Sequence, residues 1–80
     1  MQNRKILIFI DWYIPAYKAG GPVKSIANLI ALLKHKVDFY IITGDRDEGD
    51  IIPFSNLVFN KWHSNDGYKV IYLSKEKQTV

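Results

Sequence analysis

Cysteine is absent from the 80 residues, so neither a disulfide framework nor a thiolate metal site supports this short chain. Charge of one sign is not gathered anywhere: eleven Lys and Arg stand against eight Asp and Glu, a formal net charge of +3, and the charges are scattered. No stretch interleaves basic residues with aromatics as a nucleic-acid track does, so no nucleic-acid partner is expected. Long apolar runs are missing too. Arg4 and Lys5 precede Ile6, Leu7, Ile8, Phe9 and Ile10, but Asp11 ends that run far too early for a signal peptide or a membrane span, and a cytoplasmic location is the default expectation. Internal repeats and low-complexity tracts are also lacking. With so few residues, a single small domain burying about 60–65% of its unfolded surface is the most the length allows, and a complete α/β catalytic domain does not fit.

What is present is meant to pack: 48% of residues are hydrophobic and 24% charged, an ordinary globular balance. Residues 5–10 form an unbroken β-branched and aromatic run, the pattern of a parallel strand buried on both faces. Residues 11–21 hold Pro15, Gly20 and Gly21 among aromatics, which predicts a loop at the carboxyl end of that strand. Pro22 suits the first turn of a helix, with Gly21 as its cap, and the helix is predicted to run to Lys36. Val23, Ile26, Ala27, Ile30 and Leu33 recur at steps of three and four and line one face, with Leu29 and Leu32 widening it. Lys34, His35 and Lys36 would fall in the last turn, where positive charge is favoured.

Phe39, Tyr40, Ile41, Ile42 and Thr43 predict a second strand, closed by Gly44. Strand, loop, helix and strand make a βαβ unit with a right-handed crossover and parallel, neighbouring strands. Residues 44–67 read as a charged loop interrupted by Pro53. Residues 68–73 predict a third strand, and Asn65-Asp66-Gly67 is a turn signal that would make a hairpin with residues 61–64. The end, residues 74–80, is expected to fray. The predicted fold class is thus α/β, a fragment of a Rossmann-like parallel sheet in the order β-α-β-β with three strands and one main helix. One helix covers one sheet face, so the other is left bare, and self-association through that uncovered face is an expected partnership.

The loop between the first strand and the helix carries the chemistry, because ligands of open α/β sheets bind outside the carboxyl ends of the strands. The amides at a helix start favour an anion such as a diphosphate, and Gly20 and Gly21 permit close approach. Turning into the helix would equally account for Gly20-Gly21-Pro22. The three-glycine dinucleotide fingerprint and the phosphate-binding P-loop are both missing.

Pro15-Ala16, then Ala19-Gly20-Gly21-Pro22, Ser25, Asn28-Leu29 and Leu32-Leu33 behind the first strand resemble the start of bacterial retaining glycosyltransferases of the two-Rossmann-domain GT-B class, the group 1, family 4 type. Thr43-Gly44-Asp45-Arg46-Asp47, and Trp62 followed by residues 68–73, fit the same resemblance, which spans residues 5–73. It implies that residues 1–80 are part of an N-terminal, acceptor-side domain, with the rest of the enzyme absent and no catalytic residue in this piece. It further implies transfer of a sugar from a nucleotide-sugar donor to a glycan or lipid-linked acceptor in surface polysaccharide biosynthesis, the full protein being cytoplasmic or peripheral at the inner membrane face. Gly20 and Gly21 take the donor-diphosphate role by resemblance, and Tyr13, Pro15, Tyr17 and Lys18 the acceptor side of the cleft. No cofactor or metal is implied, the nucleotide-sugar being a substrate, and the piece alone is expected to be inert.

Other residues have competing readings. Ser25 can add a hydroxyl to the anion site or satisfy a free amide of the first helical turn. Asp45, Arg46 and Asp47 can touch an acceptor, or form a solvated mixed-charge loop. Asp45, Asp47, Glu48 and Asp50 lack the glycine and glutamate spacing of a calcium loop, and His35 and His63 have no second ligand at metal spacing. Trp62 suits packing, Trp12 suits packing or a sugar face, and Asp11 suits a ligand contact or an ordinary loop start. The alternative functions are a non-catalytic α/β association module and another Rossmann-like nucleotide-binding domain.

Overall fold

The computed structural model describes residues 4–18, 20–55 and 57–75. Ala19 of the glycine motif and residues 76–80 of the expected fraying end lie outside the described residues. The chain forms β1 (Arg4–Phe9), α1 (Gly21–Leu33), β2 (Val37–Gly44), β3 (Trp62–Asn65) and β4 (Tyr68–Leu73). It is a small α/β fold: one four-stranded sheet in the order β1-β2-β4-β3, with one helix.

β1 and β2 run parallel, Ile6 beside Phe39 and Ile8 beside Ile41, as the βαβ reading requires. β2 and β4 are parallel as well, with Ile41 beside Val70. β3 turns antiparallel onto β4 through Asp66 and Gly67, the hairpin that the turn signal predicts, so the sheet is mixed, with a fourth strand beside three parallel ones. The reason lies in the tight two-residue connection. Gly67 sits at φ 90°, a conformation that glycine adopts without steric cost. The same glycine lets the turn press against α1, because a Cβ there would come within 2.7 Å of the Lys34 Cβ.

α1 ends at Leu33 and not at Lys36. The amide of Lys36 donates to the Leu33 carbonyl at 2.9 Å, closing a turn that sends the chain into β2. Lys34 leaves the helix to pair with Asp66 at 2.7 Å, tying the end of α1 to the hairpin. The helical stripe is also narrower than its spacing suggested. Val23 and Ile30 are buried, Ile26 and Leu33 pack partly, and Leu32 lies 78% exposed.

Alternation along the strands sends Phe39, Ile41 and Thr43 of β2, with Val70 and Tyr72 of β4, to the α1 face, where all are buried. Burial of each large apolar side chain is worth roughly 1.5–3 kcal/mol. One helix is too narrow for this face, and the long connection before β3 completes the cover with Phe54, Leu57 and Phe59. The opposite face has no such cover. Leu7 and Phe9 of β1 are 54% and 71% exposed there, so β1 is a bare-faced edge strand, not one buried on both sides. No helix among the described residues is long and apolar enough to cross a membrane.

Candidate functional site

The connection from β1 to α1 keeps beside β2 at first: Ile10 donates to Ile42 at 3.1 Å, and Asp11 accepts from the Gly44 amide at 3.3 Å. It then crosses towards β4. Tyr13 drops into the core, only 1% exposed, with its ring edge-on to Tyr68 at 5.6 Å. Burial, helped by the neighbouring Tyr68 and Tyr72 hydroxyls, pushes the Tyr13 phenol up to about 12. The Tyr72 hydroxyl donates to the Ile14 carbonyl, the Ile14–Pro15 peptide is cis, and Ala16 donates back to Tyr13 at 2.7 Å. Aromatic packing thereby holds the loop down, leaving Pro15 and Lys18 exposed and Tyr17 74% exposed.

A carboxylate secures the second half of the loop. Asp47, 3% exposed, accepts from the amides of Tyr17 at 2.9 Å, Lys18 at 3.1 Å and Glu48 at 2.7 Å. Desolvation pushes the Asp47 pKa up, but the amides of Tyr17, Glu48 and Lys18 and the Lys18 charge outweigh it, holding the carboxyl below its ordinary value. Lys18 adds an ion pair with Asp50. Asp45 is 2% exposed and receives Arg46 through two nitrogens, at 2.7 and 3.2 Å, while its carbonyl accepts from Phe54 at 2.7 Å. Arg46 continues to the Ile51 carbonyl. The stretch that read as a solvated charged loop is thus a buried lock between the two connections at the carboxyl end of the sheet.

α1 begins where this lock ends. Gly20 holds φ 72° and ψ −102°, and no side chain caps the helix. Ser25 is exposed, and the anticipated cap from it is absent. A Cβ built on Gly20 or Gly21 meets nothing within 4 Å, so open space lies beside both glycines. The partial positive charge of a helix N-terminus favours an anion in such a space.

An open cleft of about 650 Å³ lies over the carboxyl ends of the parallel strands, walled in part by Asp11, Trp12, Thr43, Asp45, Arg46 and Lys75. Among the described residues the Thr43 hydroxyl is the buried side-chain polar atom that lacks a hydrogen-bond partner. Gly20, Gly21, Tyr13, Pro15, Tyr17 and Lys18 do not wall this cleft, so the structure splits the predicted site: the glycine pair stands at the helix start, and the cavity stands beside the first half of the loop. Asp11 and Trp12 had a legible signal, their place directly after a parallel strand. Lys75 had none, because only the pairing of β4 with β2 carries it there. Among the described residues no group of three or more His, Cys, Asp or Glu is placed to hold a metal ion.

No protein-family model matches the chain, and neither a curated protein nor a solved structure matches it.

Proposed function

We propose that this chain is the acceptor-side part of the N-terminal domain of a nucleotide-sugar-dependent glycosyltransferase, a Rossmann-like fragment whose glycine loop meets the donor diphosphate. The observation that carries the reading is the uncapped start of α1. Gly20 and Gly21 have open space beside them, in the connection of a parallel β-loop-α unit, and they belong to the motif by which the chain resembles the family.

In the reaction, the bond between the anomeric carbon and the diphosphate oxygen breaks while an acceptor hydroxyl oxygen bonds to that carbon, and the nucleoside diphosphate leaves, taking up the hydroxyl proton. Negative charge grows on the departing oxygen, so a fixed dipole aimed there stabilises the transition state more than the ground state. Gly20 and Gly21 supply that part. Tyr13 holds the loop from below; Pro15, Tyr17 and Lys18 are presented to the acceptor, and the Asp11, Trp12 and Arg46 cleft offers an indole face and polar groups to a glycan or lipid-linked sugar. Asp45 and Asp47 position these loops. Donor-gripping and catalytic groups belong to a second domain, which leaves this piece inactive alone, with the whole enzyme working in the cytoplasm or at the inner membrane face.

A titration of the isotopically labelled chain with UDP-, GDP- and TDP-linked sugars, followed by amide chemical shifts, tests the reading. Saturable shifts centred on Gly20, Gly21 and Val23 are expected; shifts absent, or centred elsewhere, would count against the diphosphate role.

A further inference from the structure

β1 lies at the edge of the sheet, and its outer side meets no strand among the described residues. Ile10 donates inward to Ile42, and backbone groups alternate along a strand. The amides and carbonyls of Lys5, Leu7 and Phe9 therefore turn outward, away from β2. A row of such groups is a template for another strand.

Among the described residues, no other element protects this edge. The end of α1 leans the other way, against the β3–β4 turn, where Ile30 and Lys34 crowd Gly67. The connection from Asp11 to Lys18 also leaves, crossing to Tyr72 and Asp47. Ile6, which shares the α1 face, is left 41% exposed as a result, beside Leu7 at 54% and Phe9 at 71%. β1 contains no proline. The opposite edge is different: β3 is only four residues long, and the His63 ring is engaged with the Val58 carbonyl at 2.6 Å.

The sequence of β1 complements itself in one antiparallel register. Two copies related by a two-fold axis normal to the sheet keep their faces aligned, so opposing residues must have the same parity. Centring the pair on Ile8 sets Leu7 against the partner's Phe9 on the bare face and Ile6 against the partner's Ile10 on the α1 face. It also brings Lys5 near the partner's Asp11, which lies just past the end of β1 with its carbonyl turned inward to Gly44; both residues are exposed and opposite in charge. Leu7 and Phe9 then exchange backbone hydrogen bonds with the partner's Phe9 and Leu7. Centring on Leu7 would instead oppose Lys5 to the partner's Phe9.

We infer that two copies of this chain join through β1, antiparallel and centred on Ile8, into a continuous sheet of twice the four strands. Lys5 in β1 and Asp11, two residues past its end, favour this register, and the apolar centre supplies the contact. The pairing leaves the start of α1 free, while its far end meets the cleft, which Phe9, Ile10 and Asp11 help to wall.

Sedimentation of the intact chain over a concentration series, with amide exchange measured in parallel, tests this. A monomer–dimer equilibrium is expected, with protection appearing at the Leu7 and Phe9 amides as dimer forms. Lys5→Glu and Asp11→Lys should each weaken the dimer about tenfold, since one reversal acts at two symmetric sites, and the double exchange should restore it to within about threefold. Trp62→Glu, on the far strand, should leave it unchanged. A chain monomeric throughout, a dimer whose Leu7 and Phe9 amides stay unprotected, or one that ignores the charge exchange and dissolves with Trp62→Glu, overturns the inference; the exchange readout on the unaltered chain holds even if a variant misfolds.

Discussion

The two faces of the sheet are made from the same strands and from similar residues, yet they live in different environments. On one, Phe39, Ile41 and Val70 are at most 1% exposed beneath α1 and the apolar residues of the long connection. On the other, Leu7, Phe9 and Trp62 are 54%, 71% and 47% exposed. Hydrophobicity alone therefore does not define the core here. What defines it is which side the crossover helix takes and where Phe54, Leu57 and Phe59 fold back. The covered face carries the stability, the other face and the β1 edge are open among the described residues, and the cleft lies over the carboxyl ends of the parallel strands.

The sharpest break of this contrast uses two residues of one hairpin. Val70→Asp places an unpaired carboxylate at a site with no exposure, a cost of several kcal/mol, comparable with the whole stability of a domain this small. Circular dichroism should find it unfolded, whereas Trp62→Glu should stay folded with a change below about 1 kcal/mol in urea. A folded Val70→Asp variant would mean the faces are assigned the wrong way round. Within α1 the same contrast is milder. Ile30→Ala should cost about 2–4 kcal/mol, and Leu32→Ala, on the exposed side, within about 0.5 kcal/mol; equal losses would show a different helix rotation.

A smaller effect separates the loops from the core. The folded-state pKa of Asp47 is depressed, so its contribution is present in full above the ordinary carboxylate pKa and is lost as pH falls through the lower folded-state value. Amide exchange at Tyr17 and Lys18 should accelerate across that acid range before the core amides of Ile41 and Val70 respond. Asp47→Asn should make exchange at the two loop amides fast and remove its acid dependence. Simultaneous loss of loop and core protection would show that Asp47 does not act as a local lock.

Much of the architecture was legible because it is written in local runs. Residues 68–73 read as a strand and are one, and Asn65-Asp66-Gly67 announced the hairpin. The parallel β1–β2 neighbourhood followed from βαβ chirality, and the bare face from having one helix for a whole sheet. β1 misled, since an unbroken apolar run looks the same at an open edge and at a sheet centre. Asp45 and Asp47 misled for a different reason. Their spacing says charged loop, but their burial depends on partners such as the Tyr17 amide, thirty positions away in sequence. The cleft was half legible: Asp11 and Trp12 follow a strand directly, whereas Arg46 and Lys75 reach it only through tertiary pairing.

The glycine pair offers the most direct test of the diphosphate role. Gly20 has a positive φ that strains any replacement, but Gly21 is the first residue of α1 with open space at its Cβ position, so Gly21→Val adds bulk at the helix start while leaving the fold in place. Titrating the unaltered chain and Gly21→Val with the same UDP-linked sugar, by amide chemical shift, should give saturable shifts at Gly20 and Val23 in the first. In the second, affinity should fall at least about tenfold, some 1.4 kcal/mol, with the rest of the spectrum unchanged. Equal responses from the two chains, or none from either, would contradict a diphosphate site at the start of α1.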